Sequence, residues 1–168
     1  MRRSWQGWML AGMALASPAR AQNGGPVFAV LPFENAGSYG ENKEVFQSLE
    51  LGIPASIASA LAAHPGVGVA DGGRVRQALE SQKLGPGQHV DAATAAHVAK
   101  AVGARYTVTG SFADFYGKFR LNARLVDAET GQIVKVVSND DPKLQDRARM
   151  SAIAEAIADK LVKAVRAP

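Results

Sequence analysis

The sequence contains no cysteine among its 168 residues, and only 7% of its residues are aromatic. Without cysteine we expect no disulfide framework, no thiolate metal site and no lipid anchor on a cysteine. The hydrophobic fraction of 47% is that of an ordinary globular chain and excludes a disordered or collagen-like one. A chain of this length is sufficient for one domain with a buried core.

The excess of positive charge is confined to the first 21 residues. The whole chain carries 19 Lys and Arg against 15 Asp and Glu, a formal net charge of +4. Arg2, Arg3 and Arg20 lie in that segment, which has no acidic residue, so the remainder carries 16 basic against 15 acidic residues. A nearly neutral remainder gives no electrostatic basis for binding nucleic acid, and we expect none.

The same segment has the pattern of a secretory signal peptide. Arg2 and Arg3 give a positive start, residues 8–16 are apolar, and residues 19–21 (Ala-Arg-Ala) supply the small residues of a cleavage site. This apolar stretch is too short to span a bilayer, which needs about 20 residues. We expect cleavage after Ala21 and a periplasmic mature chain without membrane insertion.

Hydrophobic periodicity predicts one α/β domain over residues 27–166, after a flexible polar lead-in at residues 22–26. The continuous apolar run 27–33 predicts a strand that is buried on both faces. Apolar residues three and four apart predict a helix over residues 43–63. Pro54 predicts either a kink in it or two helices, the first ending near Gly52.

Capping residues define the next elements. After a short strand at 67–70, Asp71 is expected to cap a helix that runs to about Lys83. Asp91 is expected to cap a second helix to Val102, and Gly103 suits its left-handed end.

The last third of the chain predicts a strand meander and a helix. Strands are expected over 105–116, 118–129 and 133–138, with a final helix opening at residues 140–142. The element order is therefore β-α-β-α-α-β-β-β-α. This order predicts a single-domain α/β sandwich, a mixed sheet with helices packed on it.

No pattern of residues indicates catalysis, a cofactor or a metal. The three histidines, His64, His89 and His97, include no pair at the spacing of one helical turn. The glycines around Gly66 and Gly68 precede and occupy the predicted strand instead of following it, unlike a dinucleotide-binding turn. We therefore expect a protein that is not an enzyme and has no cofactor or metal.

One face of the predicted meander is polar. Its alternating residues are Thr107, Thr109, Ser111, Arg120, Asn122 and Arg124. Two interpretations stay open, a solvated sheet face and a face that docks a partner through hydroxyl and guanidinium groups. For the second, Tyr39, Phe115 and Tyr116 would add aromatic anchors.

Three segments resemble the TolB amino-terminal-domain superfamily. They are residues 29–35 (AVLPFEN), 102–112 (VGARYTVTGSF) and 120–134 (RLNARLVDAETGQIV), in the same order and spacing. That superfamily includes CsgG curli secretion pores, FlgO flagellar proteins and LpoB-like activators of penicillin-binding proteins. The resemblance covers about residues 27–165 and implies a non-enzymatic envelope protein that binds other proteins.

The chain departs from many of these relatives in ways that bear on function. Many are lipoproteins with a cysteine, and pore-forming relatives carry additional membrane-crossing hairpins for which no segment remains here. We therefore expect a soluble periplasmic accessory protein in envelope assembly, secretion or peptidoglycan regulation.

Other functions stay open. One is a periplasmic small-ligand sensor with a cleft near Asp71, Gly72 and Gly73 and the strand ends, and another is a hydrolase without a recognisable motif. Self-association through sheet edges is also compatible with the sequence.

Overall fold

The computed structural model of the chain describes residues 24–38 and 43–167. The expected signal peptide, its cleavage site and Tyr39 lie outside the described residues. Five strands are present: β1 (Val27–Asn35), β2 (Gly68–Val69), β3 (Tyr106–Phe115), β4 (Lys118–Asp127) and β5 (Ile133–Ser138). The four α-helices are α1 (Lys43–Ala62), α2 (Gly72–Ser81), α3 (Ala92–Val102) and α4 (Met150–Arg166). The predicted fold class and element order are confirmed.

All five strands form one mixed sheet in the order β2-β1-β3-β4-β5. β1 pairs in parallel with β2 and β3, while β3, β4 and β5 form an antiparallel meander. The crossover from β1 to β2 and the crossover from β2 back past β1 to β3 run in opposite directions. Right-handed crossovers of this kind put their helices on opposite faces of the sheet.

The helices accordingly divide the core in two. α1 and α4 bury one face of the sheet, and their cluster includes Phe28, Phe112 and Phe119. α2 and α3 bury part of the other face, over Leu31 and Val126. Residues of β1 enter both clusters, so the prediction of a strand buried on both faces is confirmed.

Capping fixes the start of α2 and α3 as predicted. The Asp71 carboxylate accepts a hydrogen bond from the Arg74 N–H at 3.0 Å, and Asp91 accepts one from the Thr94 N–H at 2.7 Å. Gly103 ends α3 with a φ of 73°, a conformation that costs a glycine little.

α1 is one continuous helix with Pro54 inside it, so the alternative of two separate helices is wrong. Ile53, Ile57 and Leu61 are fully buried on its inner side, and this packing holds the helix together across the proline. Among the described residues, α1 is long and apolar enough to cross a membrane, a test that a core helix of a soluble protein also passes.

The final helix begins later than predicted. Residues from Pro142 to Arg149 form two short 3-10 turns, and α4 starts only at Met150. The carbonyl of Gln145 accepts a hydrogen bond from the Phe119 N–H at 2.7 Å. The Leu144 carbonyl accepts one from the Asn139 amide at 2.8 Å. Because these two carbonyls accept hydrogen bonds from Phe119 and Asn139, they are not free to accept the hydrogen bonds of a regular helix.

Candidate functional site

The six residues of the expected polar face lie on the side of the sheet that carries α2 and α3, but their surroundings differ. Thr107 and Thr109 are 0% and 2% exposed, because α3 packs on β1, β3 and β4 at this point. Ser111 and Arg124 are half-buried, whereas Arg120 and Asn122 are exposed. The expectation that the whole face is available must therefore be corrected for Thr107 and Thr109, which a partner cannot reach.

Helices α2 and α3 cover only part of this face of the sheet, and the reason is the way in which the later strands are connected. β3, β4 and β5 are joined by short turns, which contribute no helix. Among the described residues, α4 is the only α-helix after β5, and it packs on the opposite face against α1. No helix of the described part of the chain therefore lies over the half of the sheet formed by the end of β3, β4 and β5.

We call this uncovered area the open sheet face. Its members are Ser111, Arg120, Asn122, Arg124, Val136 and Ser138. Asn122 lies between Ser111 on β3 and Ser138 on β5 in the register, and Arg124 lies beside Val136. The surface thus has a centre of hydroxyl, amide and guanidinium groups, with one apolar side chain at its edge.

The charges on this face are only partly neutralised. The Arg120 guanidinium lies 3.6 Å from the Asp140 carboxylate, and both side chains are more than half exposed. Arg124 makes no ion pair with any described residue. At the rim towards α3, the His89 Nδ1 lies 2.8 Å from the Glu34 carboxylate. Arg124 is therefore the guanidinium on this face that is open to a partner's carboxylate or carbonyl.

The aromatic residues expected as anchors lie at one end of the face. Tyr116 is 91% exposed in the turn between β3 and β4, and Phe115 is partly exposed beside it. Tyr116 and Gly117 both have positive φ, as a two-residue hairpin turn requires. The turn is fixed by Asp114, whose carboxylate accepts a hydrogen bond from the Gly117 N–H at 2.8 Å.

The residues of the Asp-Ala-Glu-Thr-Gly motif stabilise the turn between β4 and β5. The Asp127 carboxylate accepts hydrogen bonds from the N–H groups of Glu129 (2.7 Å) and Thr130 (3.1 Å). Its other oxygen lies 2.8 Å from Arg105, which also pairs with Glu129. The hydrogen bond to the Glu129 carboxylate is the main cause that raises the pKa of the Arg105 guanidinium above its ordinary value, and the charge of Asp127 adds to it. The motif is a scaffold, and nothing in its geometry indicates a binding site.

A groove lies between α1 and α2, and Gly72, Gly73 and the end of β2 line it where the sequence predicts a cleft. It has a volume of about 560 Å³ and is lined mainly by apolar residues. Val30 and Val69 form its floor, Leu51 and Pro54 line the α1 side, and Gly73 lies at the start of α2. The groove lies beyond the carboxyl end of β2 and beside the middle of β1, whose following helices lie on opposite faces of the sheet. Open α/β sheets bind ligands outside the carboxyl ends of their strands.

The neighbourhood of the groove holds few polar groups. Arg76 and Glu80 lie on the α2 side. Beside it, the Glu50 carboxylate packs against Gly87, and burial raises the pKa of this carboxyl. Within residues 24–38 and 43–167, no three metal-ligating side chains come together. The groove is therefore shaped for an apolar molecule more than for an ion.

Comparisons with known proteins give the fold and leave the family open. No family model matches the sequence, and neither does any curated protein. Solved structures do match. The NMR structure of Escherichia coli LpoB has a TM-score of 0.55 at 18% identity and covers 82% of this chain and 78% of that one. Lipoprotein GNA1162 from Neisseria meningitidis has a TM-score of 0.52 at 15% identity, over 81% and 96%.

TolB from Acinetobacter baumannii also matches, with a TM-score of 0.52 at 17% identity. The match covers 84% of this chain but only 28% of that one. The structure neighbours are thus LpoB, TolB and a lipoprotein, in agreement with the superfamily that the sequence segments resemble. At these identities the likeness shows a shared fold.

Proposed function

We propose that this chain is a non-enzymatic accessory protein of the bacterial cell envelope that acts by binding another protein. It is exported by its signal peptide, cleaved after Ala21, and works in the periplasm. The pathway it serves is envelope assembly, secretion or peptidoglycan regulation. The partner docks on the open sheet face, and no cofactor takes part.

The observation that carries the proposal is the composition of the open sheet face. Arg124 has no charge partner among the described residues, and Val136 beside it is 55% exposed. Tyr116 extends from the end of the same meander. Arginine and tyrosine are enriched at protein interfaces, and exposed apolar groups beside them exclude water from the contact. A face that only meets solvent would favour Lys and Glu instead.

The fold supports the same conclusion. It is shared with LpoB, TolB and a lipoprotein, and the superfamily that the sequence resembles includes several kinds of envelope protein. A fold alone does not fix a function, so the assignment depends on the surface and must be tested there.

The test is position-specific photocrosslinking in the cells that make the protein. A photoreactive residue at Asn122, in the centre of the open sheet face, is expected to give one discrete adduct. The same residue at Gln77, exposed on α2, is the control and is expected to give none. Arg124→Glu is expected to remove the Asn122 adduct, because it replaces the free guanidinium with a repelling charge.

Arg74→Glu is the matched charge control, because Arg74 is exposed on α2 outside the open sheet face. It is expected to leave the Asn122 adduct unchanged. Equal adducts from Asn122 and Gln77, or an adduct at Asn122 that survives Arg124→Glu, would contradict docking on this face.

A second candidate function is binding of an apolar small molecule in the groove between α1 and α2. The observation that favours it is the position of the groove beyond the carboxyl end of β2, because open α/β sheets bind ligands outside the carboxyl ends of their strands. Its volume of about 560 Å³ is within the range of small-molecule sites.

A fluorescent apolar dye, 8-anilinonaphthalene-1-sulfonate, separates this candidate from the first. Leu51→Glu puts a charge into the groove and is expected to reduce dye binding, while Val45→Glu is the control. Val45 is an exposed apolar residue of the same helix that does not line the groove. Equal dye binding by both variants would exclude the groove as an apolar site.

A further inference from the structure

β5 is an edge strand whose usual protection is limited to a register shift against β4 before Lys135 and to the charge of Lys135 itself. Among the described residues it pairs only with β4, so no described strand lies along the other side of its backbone. Ile133, Val134 and Val136 are each about half exposed on this short strand. Natural edge strands are usually charged, bulged or covered, because an open apolar edge recruits another strand. The opposite edge, β2, is only two residues long.

The backbone of β5 is oriented to accept a further strand. The Ser138 carbonyl points away from β4, because it accepts a hydrogen bond from the Lys160 Nζ at 2.7 Å. Alternate residues of a strand turn their N–H and C=O groups to the same side. The groups of Val136, two residues earlier, therefore face outward as well.

A cleft beside this edge carries positive charge. It has a volume of about 590 Å³ and lies between β5 and α4. Three ammonium groups line it, those of Lys135, Lys160 and Lys163, against a single carboxylate, that of Asp140. Asp140 lies 3.6 Å from Arg120 and 4.0 Å from Lys160, so it is shared between two cations and neutralises neither fully.

We propose that β5 adds an extended segment of a partner protein whose side chains alternate between acidic and apolar residues. The segment pairs with the outward backbone groups of Val136. Its carboxylates lie towards Lys135 and Lys163, and its apolar side chains lie beside Val136 on the face that also carries Arg124. This inference rests on the proposed function and names the chemical class of the partner.

Repulsion between like charges disfavours a second copy of this chain as the partner that pairs with β5. Pairing of β5 with β5 of another copy would bring two sets of Lys135 and Lys163 together across the new strand pair. Like charges that face each other in neighbouring strands are destabilising. A segment with carboxylates at alternate positions matches the lysines and gains the backbone hydrogen bonds that give strand addition its affinity.

The probe is a blocked hexapeptide of alternating Glu and Val, with a Lys-Val hexapeptide for comparison. Binding to the full mature chain is measured by titration, and protection of the Val136 N–H by amide hydrogen exchange. We expect the Glu-Val peptide alone to bind and to slow exchange at Val136. N-methylation along its pairing edge should weaken binding by about tenfold or more, because it removes the backbone donors.

Variants of the chain test the charge and the edge separately. Lys135→Glu combined with Lys163→Glu should weaken binding by about tenfold or more, whereas Lys100→Glu, an exposed lysine on α3, should leave it unchanged. Val136→Pro should abolish binding, since proline blocks the outward donor. Thermal unfolding checks that Val136→Pro folds. The tests with the double lysine variant and with the N-methylated peptide remain valid even if it does not.

Three results would overturn the proposal. They are equal binding of the Glu-Val and Lys-Val peptides, binding that N-methylation does not weaken, and a dimer in sedimentation that Val136→Pro converts to a monomer. If the Asn122 crosslink forms and depends on Arg124 but the peptide does not bind, the result contradicts strand addition on β5 and leaves the proposed function intact. The proposed function fails if that crosslink is absent.

Discussion

Asn139 joins three parts of the fold through its side-chain amide. It is 1% exposed, and its oxygen accepts a hydrogen bond from the Leu121 N–H at 2.8 Å. Its nitrogen donates to the carbonyls of Phe119 (2.9 Å) and Leu144 (2.8 Å). The residue thereby ties the end of β5 to β4 and to the first 3-10 turn.

Asn139→Ala is expected to lower the free energy of unfolding by about 2–4 kcal/mol, because it leaves buried backbone groups without partners. Urea unfolding at neutral pH measures the change. Asn122→Ala is the control on β4, where the side chain is exposed, and should stay within about 0.5 kcal/mol of the unmodified chain. Similar losses for both variants would contradict the special role of Asn139.

Substitution of glycine by alanine is expected to have opposite effects on stability at two positions, Gly110 and Gly52. A Cβ at Gly110 would lie 2.0 Å from the Asn122 carbonyl oxygen and 2.7 Å from the Phe33 ring, whereas a Cβ at Gly52 meets nothing within 4 Å. Gly110→Ala should therefore cost about 1–3 kcal/mol of stability through overpacking. Gly52→Ala, inside α1, should add about 0.5–1 kcal/mol. Chemical denaturation of both variants checks the signs, and a neutral Gly110→Ala would refute the close approach.

At the scale of elements, α3 offers a test of how a cap responds to pH. The hydrogen bond from the Thr94 backbone N–H lowers the pKa of the Asp91 carboxyl below its ordinary value. A carboxyl with a lower pKa in the folded state contributes stability that is present above its unfolded pKa. That stability is lost as the pH falls through the folded pKa.

Asp91→Asn removes this titration and keeps a side chain that caps well. At pH 7 the two proteins should therefore have similar free energies of unfolding. Below about pH 4, where an unfolded Asp takes up its proton, the unmodified chain should lose stability more steeply than Asp91→Asn. Urea unfolding at intervals from about pH 2.5 to about pH 7, a range that includes the protonation of an unfolded Asp, measures both profiles. Parallel profiles would show that the cap does not depend on the charge.

At the scale of the whole molecule, export sets the form in which the protein acts. We expect the chain recovered from the periplasm to begin at Gln22, which intact-mass measurement detects as the loss of residues 1–21. Ala21→Arg should block this cleavage, because the signal peptidase needs a small residue there. Arg20→Ala changes the neighbouring position, which has no such requirement, and should leave the mass unchanged. A full-length periplasmic chain without either substitution would contradict the signal peptide.

Elements with local causes can be predicted from the amino-acid sequence without knowledge of the fold. The caps at Asp71 and Asp91 depend on hydrogen bonds to residues three positions on, and the end of α3 depends on the positive φ of Gly103. The alternation along β3 and β4 likewise placed the candidate site residues on one face, because successive strand residues point to opposite sides. Local rules were sufficient for fold class and element order.

The extent of the open part of that face, in contrast, follows from how the helices pack on the sheet. Thr107 and Arg124 share one face, yet α3 lies over the first and stops before the second. The groove beyond the end of β2, the late start of α4 and the edge position of β5 likewise depend on tertiary packing. Each results from contacts between residues that are apart in the chain, and such contacts leave no local pattern in the sequence.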